Sequence, residues 1–374
     1  MAKLGEICTI QSGGTPSRSN RDYWDNGTIP WVKISDFSGK YLDHASEKIT
    51  QAGLDGSSAK IFPKGTILYT IFATLGETCI LDVDAATNQA IAGLKLIDDS
   101  VSLDYLYYYL LSKKEYVNDI GRGVAQNNIN MKILREMEII IPPRDTQGKI
   151  TDALNKLFNL IALRKEQLAK LDQLVKSRFI EMFGDKGYPE DSLLNLCNII
   201  DYRGKTPEKV EYGLPFITAK NIRMHQMNLE PREYISKETY DKVMVRGFPK
   251  EGDVVFTTEA PLGNVCRIPY FDTEFYIGQR IVTLQTEKLE PIYLEYALSA
   301  DDFKMKYMGK SSGSTVTGIR VRLLEQLTIP VPPIELQEQF AAFVEQTDKS
   351  KFELKQSLEK LETLKKSLMQ QYFG

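Results

Sequence analysis

The sequence predicts an α+β protein with two similar β-rich α/β domains, which are joined by two long antiparallel coiled-coil helices in an internal repeat with pseudo-two-fold symmetry. Two long proline-free stretches, 147–184 and 337–374, have helical apolar spacing and each follows a double proline. Their residues match at a constant shift of 190 positions, as from Pro142 to Pro332. The rest of the chain consists of short strand-like runs separated by turn residues, which indicates two β-rich domains.

Apolar residues recur every three or four positions in both long stretches, which places them on one face of a helix. Proline is tolerated just before a helix, because the amides of the first turn need no intrahelical acceptor. The pattern weakens at Arg164-Lys165 and between 347 and 351, so we expect imperfect heptads. We predict that ten residues form the interface between the helices: Leu154, Ile161, Leu168, Leu171, Leu174, Leu354, Leu358, Leu361, Leu364 and Leu368.

The two stretches are interpreted as copies of one ancestral segment. Pro142-Pro143, Gln147 and the ending Phe183-Gly184 all return 190 positions later. Any two amphipathic helices share leucines, but the shared Pro-Pro and Phe-Gly ends argue against chance similarity. Duplication predicts that the domains in front of the two helices have the same fold.

The boundaries follow from the repeat. We predict domain 1 at 1–143, a central spacer helix at 144–184, domain 2 at 185–333 and a C-terminal spacer helix at 334–374. In domain 1 the predicted elements are strands at 29–34, 66–71, 78–81, 93–97 and 137–141, a tyrosine-rich helix at 103–115 and a loop at 121–128. Apolar and turn positions return in domain 2, whereas most polar loop residues differ. We therefore expect matching folds with different surfaces.

The order of these segments also predicts a geometry. A helix of about 37 residues is about 55 Å long. Because domain 1 precedes the first helix and domain 2 follows it, we expect the domains at opposite ends. The second helix then buries its apolar face only by running back along the first.

Composition narrows the class of protein. With 374 residues, 42% hydrophobic and 26% charged, the chain is typical of a soluble protein with two domains. It has no apolar run near the ~20 residues that span a bilayer and no apolar segment of signal-peptide length at its start, so we expect a cytoplasmic protein. The net charge of −3 does not by itself predict a nucleic-acid binder.

Cysteine and histidine offer little for catalysis. No Cys-x-x-Cys pair is present, and the four cysteines lie at matching places in the two copies, which favours buried side chains over a metal or redox site: Cys8, Cys79, Cys197 and Cys266. His44 and His225 lie in no nucleophile or metal motif, which argues against a histidine-based hydrolase and predicts no metal site.

Taken together, the doubled layout, the turn motifs around Gly76 and Gln89, Gln147 and Gln337 after the double prolines, and the two long helices resemble the specificity subunit of type I restriction–modification systems. The resemblance covers the whole chain. It implies that each domain is a target-recognition domain that reads one half of a split double-stranded DNA sequence. It also implies that the helices set the gap, for which about 55 Å would give at most roughly 16 base pairs.

The resemblance further implies partners that carry the chemistry. The helices would dock two methyltransferase subunits, which modify adenine with S-adenosylmethionine, and motor-nuclease subunits would join to cut DNA. ATP and Mg²⁺ are then expected in partner subunits, and this chain is expected to be non-catalytic and to bind no cofactor.

Side chains that bond to bases or phosphates concentrate in the predicted loops. In domain 1 the candidates are Ser17, Arg18, Asn20, Lys33, Thr74, Asn88, Gln89, Arg122, Gln126 and Asn127. In domain 2 they are Arg203, Lys205, Lys220, Arg223, Gln279, Arg280, Lys310, Ser312, Thr315 and Arg320. Each could equally be ordinary surface, and Gln89 and Gln279 could be turn residues that hold the fold.

Three alternatives remain at this point, one for the role of the tyrosines and two for the function of the chain. The tyrosines of 103–115 could stack on bases, but their helical spacing favours core packing. An enzyme acting alone is disfavoured, because the chain has no Asn-Pro-Pro-Tyr type motif and no glycine-rich cofactor loop after a strand. A coiled-coil adaptor with two non-DNA recognition domains fits the layout, although divergent polar loops on matching folds fit two reading surfaces better.

Overall fold

The structure is a computed structural model of the chain. It describes residues 1–122, 128–202, 204, 207–311 and 318–374, and for 121 and 122 the backbone alone. The chain divides into two compact units, here called repeat 1 and repeat 2. Repeat 1 comprises Met1–Glu166 with Lys355–Gly374, and repeat 2 comprises Gln167–Leu354. Each long helix therefore contributes one half to each unit.

Repeat 1 alternates short strands and helices before the first long helix. Its elements are β1 (Ala2–Lys3), α1 (Leu4–Ile7), β2 (Cys8–Ser12), β3 (Ile29–Val32), β4 (Tyr41–Leu42), β5 (Glu47–Ile49), α2 (Gln51–Asp55), β6 (Ile61–Phe62), β7 (Ile67–Thr70), β8 (Thr78–Leu81), β9 (Ala85–Thr87), β10 (Ile91–Leu96), α3 (Leu103–Ser112), α4 (Lys114–Arg122), α5 (Met131–Glu136), β11 (Glu138–Ile139) and the start of α6 (Arg144–Phe183). A five-stranded sheet has the order β2-β10-β7-β8-β4, and a four-stranded sheet has the order β5-β3-β9-β6.

Repeat 2 follows the same plan. Its elements are β12 (Glu190–Ser192), α7 (Leu193–Leu196), β13 (Asn198–Asp201), β14 (Leu214–Ile217), β15 (Ile222–Arg223), β16 (Gln226–Met227), β17 (Tyr234–Ile235), α8 (Lys237–Val243), β18 (Val254–Thr257), β19 (Val265–Arg267), β20 (Tyr276–Ile277), β21 (Ile281–Gln285), α9 (Pro291–Ser299), α10 (Asp301–Met308), α11 (Val321–Leu324), β22 (Thr328–Pro330) and the start of α12 (Ile334–Phe373). Its main sheets have the orders β13-β21-β18-β19 and β17-β14-β20. The prediction of two matching mixed α and β domains is confirmed.

The central strands are buried on both faces, which explains their continuous apolar runs. All four residues of β7, β8 and β18 are buried. The tyrosine-rich helix α3 packs on this core: Tyr105, Tyr107, Tyr108 and Tyr109 are all at least 94% buried, so core packing is confirmed for them rather than base stacking. The hydroxyls of Tyr105, Tyr108 and Tyr109 donate hydrogen bonds, for example from Tyr109 to Glu138 O at 2.8 Å.

All four cysteines are buried and free, as predicted. Burial raises the pKa of each thiol to about 12, so none is a thiolate at neutral pH. No group of metal-ligating side chains occurs among the described residues. No helix in that part of the chain combines the length and apolar character needed to cross a membrane.

One glycine turn recurs in both repeats. Gly76 joins β7 to β8 with a φ of +81°, and Gly263 joins β18 to β19 with a φ of +90°. The amide of each donates back to the end of the preceding strand, to Thr70 O at 3.0 Å and to Thr257 O at 2.9 Å. A side chain would be strained at these dihedrals.

The long helices are 40 residues each and begin three residues before the periodic stretches 147–184 and 337–374. The reason is that Pro143 and Pro333 themselves accept the first helical hydrogen bonds, from the amides of Gln147 and Gln337. Each helix ends at a Phe-Gly pair, as predicted.

Gln147 and Gln337 are buried and form the same clamp in each repeat. The amide nitrogen of Gln147 donates to Ser100 O (2.7 Å) and Pro142 O (2.8 Å), and its oxygen accepts from Ser102 N (2.8 Å). Gln337 likewise donates to Pro332 O (2.8 Å) and accepts from Glu290 N (3.0 Å). The clamp ties the first turn of each long helix to the segment before α3 or α9.

Within each repeat, the halves of α6 and α12 run in opposite directions. In repeat 1, Lys165 Nζ lies 3.0 Å from Glu362 Oε1, and Lys365 Nζ lies 5.6 Å from the ring centre of the earlier residue Phe158. In repeat 2, Phe179 packs on Phe340, with ring centres 5.4 Å apart. Asp172, seven residues earlier than Phe179, pairs with the later Lys351 at 2.7 Å.

The ten residues predicted to form the interface between the helices are not equally buried. Leu154 and Ile161 are buried, and Leu168, Leu171, Leu354, Leu358, Leu361 and Leu368 are half-buried. Leu174 and Leu364, however, are 50% and 46% exposed. The neighbouring Val175 is 1% exposed, because the 3.6-residue period shifts the inward position by one residue where the heptads are imperfect.

Candidate nucleic-acid interface

In repeat 1, several loops meet at one edge of the sheets. The strands β3 and β9 are parallel, so their carboxyl ends, Val32 and Thr87, lie side by side. The strands β2 and β7 both pair antiparallel with β10. The last residues of β2 and β7 therefore lie beside the first residues of β10. Here this edge is called loop edge 1, and it comprises residues 13–20, 33, 71–76, 88–90 and 128–129.

Backbone hydrogen bonds hold these loops together. Gly14 N donates to Thr87 O at 2.9 Å, and Asn88 N donates to Val32 O at 3.3 Å. Glycine is required beside this contact, because a Cβ on Gly13 would lie 2.0 Å from Thr87 Oγ1. Trp31 Nε1 also donates to Gly14 O at 3.0 Å, which fixes the loop after β2 to the end of β3.

Repeat 2 has the same edge, called loop edge 2, at residues 207–209, 218–221, 258–263, 278–280 and 318–320. Ile71 N to Ala90 O (2.9 Å) in repeat 1 corresponds to Thr258 N to Arg280 O (2.9 Å) in repeat 2.

The segments that contain Ile129 and Ile319 join their edges in the same way. Ile129 N to Ile71 O (3.1 Å) corresponds to Ile319 N to Thr258 O (2.9 Å). The two edges thus share one backbone scaffold.

The predicted cations Arg18 and Lys33 lie together at loop edge 1, where both pair with Glu47. Arg18 Nη1 is 2.6 Å from Glu47 Oε2, and Lys33 Nζ is 2.7 Å from Oε1. The Arg18 guanidinium also lies over Trp24 at 3.6 Å and near Trp31 at 4.9 Å from the ring centres. The hydrogen bond from Lys33, together with the charge and hydrogen bond of Arg18, lowers the pKa of Glu47 although partial burial opposes this. Glu47 is therefore ionised at neutral pH.

The predicted polar residues of loop edge 1 divide into two kinds. Asn20 and Asn88 hold turns, because each side-chain oxygen accepts a nearby backbone amide, from Asp22 N (3.1 Å) and Ala90 N (3.0 Å). Four others are exposed at the edge: Ser17, Arg18, Thr74 and Gln89.

At loop edge 2 the structure brings together Lys220, Gln279, Arg280 and Arg320, of which all but Gln279 are exposed. Arg280 Nε lies 3.1 Å from Glu259 Oε1. The exposed Arg223 donates to Ile222 O at 3.1 Å. Lys310 is exposed and its amide donates to Tyr307 O at 3.2 Å, just after α10.

Seven predicted residues fall wholly or partly outside this description. Gln126, Asn127, Arg203, Lys205, Ser312 and Thr315 lie outside the described residues, and of Arg122 only the backbone is described.

Lys209 of loop edge 2 was not among the residues predicted from the sequence. Its Nζ lies 2.9 Å from Glu233 Oε2 and 5.8 Å from the ring centre of Phe216. The signal was present, because the alignment of Pro16 with Pro207 places Lys209 opposite Arg18.

The carboxylates correspond as well. Glu47 lies opposite Trp31 in the β3–β5 ladder, and Phe216 N bonds to Glu233 O at 2.8 Å. Each edge therefore has one cation, one aromatic ring and one carboxylate at equivalent backbone positions.

A protein with two copies of one domain, each presenting cations and amides at a single loop edge, is suited to bind a polyanion at two places. The chain belongs to the family of type I restriction–modification specificity proteins. The family model described as the type I restriction modification DNA specificity domain matches residues 1–173 and again residues 191–366.

Named relatives agree with this membership. The chain is 24% identical to the MjaIX type I restriction enzyme specificity subunit of Methanocaldococcus jannaschii, over 92% of this chain and 85% of that protein. It is also 24% identical to the EcoprrI specificity subunit of Escherichia coli, over 92% of this chain and 86% of that protein.

Solved structures show the same fold. The S subunit of a type I restriction–modification system from M. genitalium has a TM-score of 0.58 at 16% identity, covering 100% of this chain and 95% of that one. A chain from a structural study of complex assembly in the type I R-M system has a TM-score of 0.60 at 20% identity, covering 100% and 96%.

Proposed function

We propose that this chain is the specificity subunit of a type I restriction–modification complex, in which loop edge 1 and loop edge 2 each read one half of an asymmetric bipartite DNA target. The observation that carries the proposal is the repeated edge: one backbone scaffold with different side chains in the two copies. Sequence is read by side chains at base edges, whereas the backbone positions them.

The differences between the edges favour two different half-sites. Lys33 corresponds to Thr218, so a cation at one edge is replaced by a hydroxyl at the other. Asn88 corresponds to Gly278, so the side-chain amide of one edge is absent from the same place at the other. Gln89 and Gln279 are shared. Two unlike readers on one chain predict a target whose halves differ.

The long helices are proposed to act as the spacer. In this proposal they pair as an antiparallel coiled coil, set the gap between half-sites and dock two methyltransferase subunits. The domain boundaries are those of the sequence repeat: 1–143, 144–184, 185–333 and 334–374. The buried Gln147 and Gln337 support a fixed angle between each domain and its helix, and a fixed angle is what a defined gap requires.

The chemistry is assigned to partner subunits. Adenine methylation with S-adenosylmethionine belongs to the two methyltransferase subunits, and ATP- and Mg²⁺-dependent cutting belongs to the motor-nuclease subunits. This chain contributes recognition in the cytoplasm and no catalytic group.

The test is co-expression with the cognate methyltransferase subunit, followed by mapping of methylated adenines on genomic DNA. We expect a complex of two methyltransferase subunits with one specificity chain and one split, asymmetric methylated motif. Exchanging the side chains of loop edge 1 and loop edge 2 should exchange the two halves of that motif. An unchanged motif after the exchange, or an adaptor complex without DNA selectivity, would contradict the proposal.

A further inference from the structure

We propose, on the basis of the function above, that Glu47 and Glu233 are specificity-determining residues. In this proposal, Glu47 holds Arg18 and Lys33 in ion pairs when the protein lies on non-target DNA, and Glu233 holds Lys209 in the same way. The cations exchange from carboxylate to DNA phosphate only when the domain docks on its own half-site.

The first observation is that the arrangement occurs twice. Arg18 and Lys209 both follow a buried proline by two residues. Each pairs with a carboxylate at the start of the neighbouring strand, Glu47 in β5 and Glu233 immediately before β17. Glu47 and Glu233 keep only 29% and 16% of their side-chain surface exposed, whereas the cations are about half exposed. The carboxylates are fixed parts of the edge, and the cations are its accessible parts.

The second observation is that one carboxylate contacts two cations at loop edge 1. Glu47 pairs with both Arg18 and Lys33 through its two oxygens. Both cations are therefore held in ion pairs, and the carboxylate lowers the net charge that the group presents to a phosphate backbone. At loop edge 2, Glu259 compensates Arg280 in addition to the Lys209–Glu233 pair.

Non-specific affinity for DNA comes almost entirely from neutralised phosphates and released counterions. A cation that stays with a carboxylate contributes little to it. On the correct half-site, base contacts bring the edge closer to the DNA, and phosphate oxygens can then replace the carboxylate. Arginine and lysine both suit this exchange, because each carries several donors for an anionic oxygen.

The experiment uses the complex of the chain with its methyltransferase subunits. Dissociation constants are measured against salt concentration for a duplex with the mapped target and for a duplex without it. For Glu47→Gln on non-target DNA, we expect the slope of log K against log salt to steepen by about 0.9 for each released cation that gains a phosphate. The affinity should rise up to about eightfold at 0.1 M salt for one such contact.

The target duplex should respond differently to Glu47→Gln. Its slope should stay unchanged, because Arg18 and Lys33 already contact phosphate there, and its affinity should change by less than about threefold. Glu233→Gln should reproduce the pattern through Lys209. Arg18→Gln should do the converse, with a target slope shallower by about 0.9 and an unchanged non-target slope.

Glu136→Gln is the matched control, since it removes the same charge from an ion pair of the same length. Lys3 Nζ lies 2.6 Å from Glu136 Oε2 beside the β1–β11 pair, outside loop edge 1. It should leave both slopes unchanged. Unfolding followed by the fluorescence of Trp24 and Trp31 checks that each repeat 1 variant is folded.

Three results would overturn the inference. Equal steepening on both duplexes would make Glu47 an ordinary surface charge. A weaker, shallower target complex would make it a residue that presents Arg18 to DNA. No change on either duplex would mean that the ion pairs never open. A wild-type complex without any preferred sequence would instead contradict the proposed function itself. If Glu47→Gln fails to fold, Arg18→Gln still tests the inference.

Discussion

The two repeats use different polar groups where the recognition domain meets its long helix. In repeat 1, Lys40 Nζ lies 2.7 Å from Asp104 Oδ2 on α3 and 2.8 Å from Asn155 Oδ1 on α6. Asn155 also donates to Asp104 at 3.1 Å. Asp104 keeps 30% of its side chain exposed, so this group is half open to water.

In repeat 2 the corresponding group centres on Glu295 of α9, which is only 2% exposed. His225 Nδ1 lies 2.8 Å from Glu295 Oε1, and Arg267 Nε lies 2.6 Å from Oε2. Arg267 Nη2 then reaches Asp348 of α12 at 3.9 Å. The His225 ring stacks on Tyr296 with ring centres 4.2 Å apart.

The comparison shows that the duplicated scaffold fixes where the polar group lies and leaves its chemistry free. Tyr108 and Tyr296 occupy equivalent places next to the two polar groups, and each belongs to the hydrophobic core of its repeat. What differs is burial, and burial decides how much an ion pair contributes. A buried pair that loses one partner leaves an uncompensated charge, whereas an exposed pair is screened by water.

The largest expected effect is therefore an asymmetry between Glu295→Ala and Asp104→Ala. Glu295→Ala should lower the free energy of unfolding of repeat 2 by about 3 kcal/mol, because Arg267 and His225 lose a buried partner. Asp104→Ala should lower that of repeat 1 by about 1 kcal/mol. Urea unfolding measures both, and the two tryptophans, Trp24 and Trp31, report on repeat 1 alone.

Glu287→Ala is the control for Glu295→Ala, because Glu287 is an exposed carboxylate of the same repeat. It should change stability by less than about 0.5 kcal/mol. Equal losses for Glu295→Ala and Asp104→Ala would show that burial does not separate the two groups.

The clamp glutamines test what the repeats share. Gln147→Leu and Gln337→Leu should each lower the free energy of unfolding by about 2–3 kcal/mol, because buried backbone groups lose their partners. Gln147 makes three hydrogen bonds and Gln337 makes two, so Gln147→Leu should have the larger effect. Urea unfolding is the measurement.

The exposed Gln371 of α12 provides the matched substitution, Gln371→Leu, which should be nearly neutral. A clamp substitution as mild as Gln371→Leu would mean that water replaces the lost bonds. The gap between half-sites should also become less defined in the Gln147→Leu complex, which methylation mapping on targets of altered spacing would detect.

Features with a long-range pattern could be predicted from the sequence. The helices, the repeat and the buried tyrosines of α3 follow from periodicity and from residues that return at one spacing. The exposure of Leu174 and Leu364 could not be predicted, because imperfect heptads leave the inward position ambiguous by one residue.

The candidate site was predicted in outline and missed in detail. Loop position and residue type identified Arg18, Lys33 and Arg280. Loop position and residue type did not reveal that each of these cations pairs with a carboxylate. The partners, Glu47 and Glu259, belong to other segments of the chain. Ion pairing across strands depends on register, which single-sequence patterns do not give.

The smallest expected effect concerns the caps of α3 and α9. Ser102 Oγ accepts from Tyr105 N at 3.2 Å, and Glu290 Oε2 accepts from the equivalent Tyr293 N at 2.8 Å. Ser102→Ala should cost about 1 kcal/mol at every pH, because serine does not titrate. Burial raises the pKa of Glu290 above its ordinary value, although the hydrogen bond from Tyr293 opposes this.

The sign of the pH effect follows from this raised pKa. The folded protein binds a proton at Glu290 more readily than the unfolded chain does, so stability rises as pH falls from neutral toward the ordinary pKa of glutamate. Glu290→Gln keeps an oxygen for Tyr293 N and removes the titration. The stability of wild type minus that of Glu290→Gln, measured by urea unfolding followed by circular dichroism, should therefore increase on acidification by less than about 1 kcal/mol. A decrease on acidification would show that repeat 2 holds this carboxylate in its charged form, as repeat 1 holds Asp104.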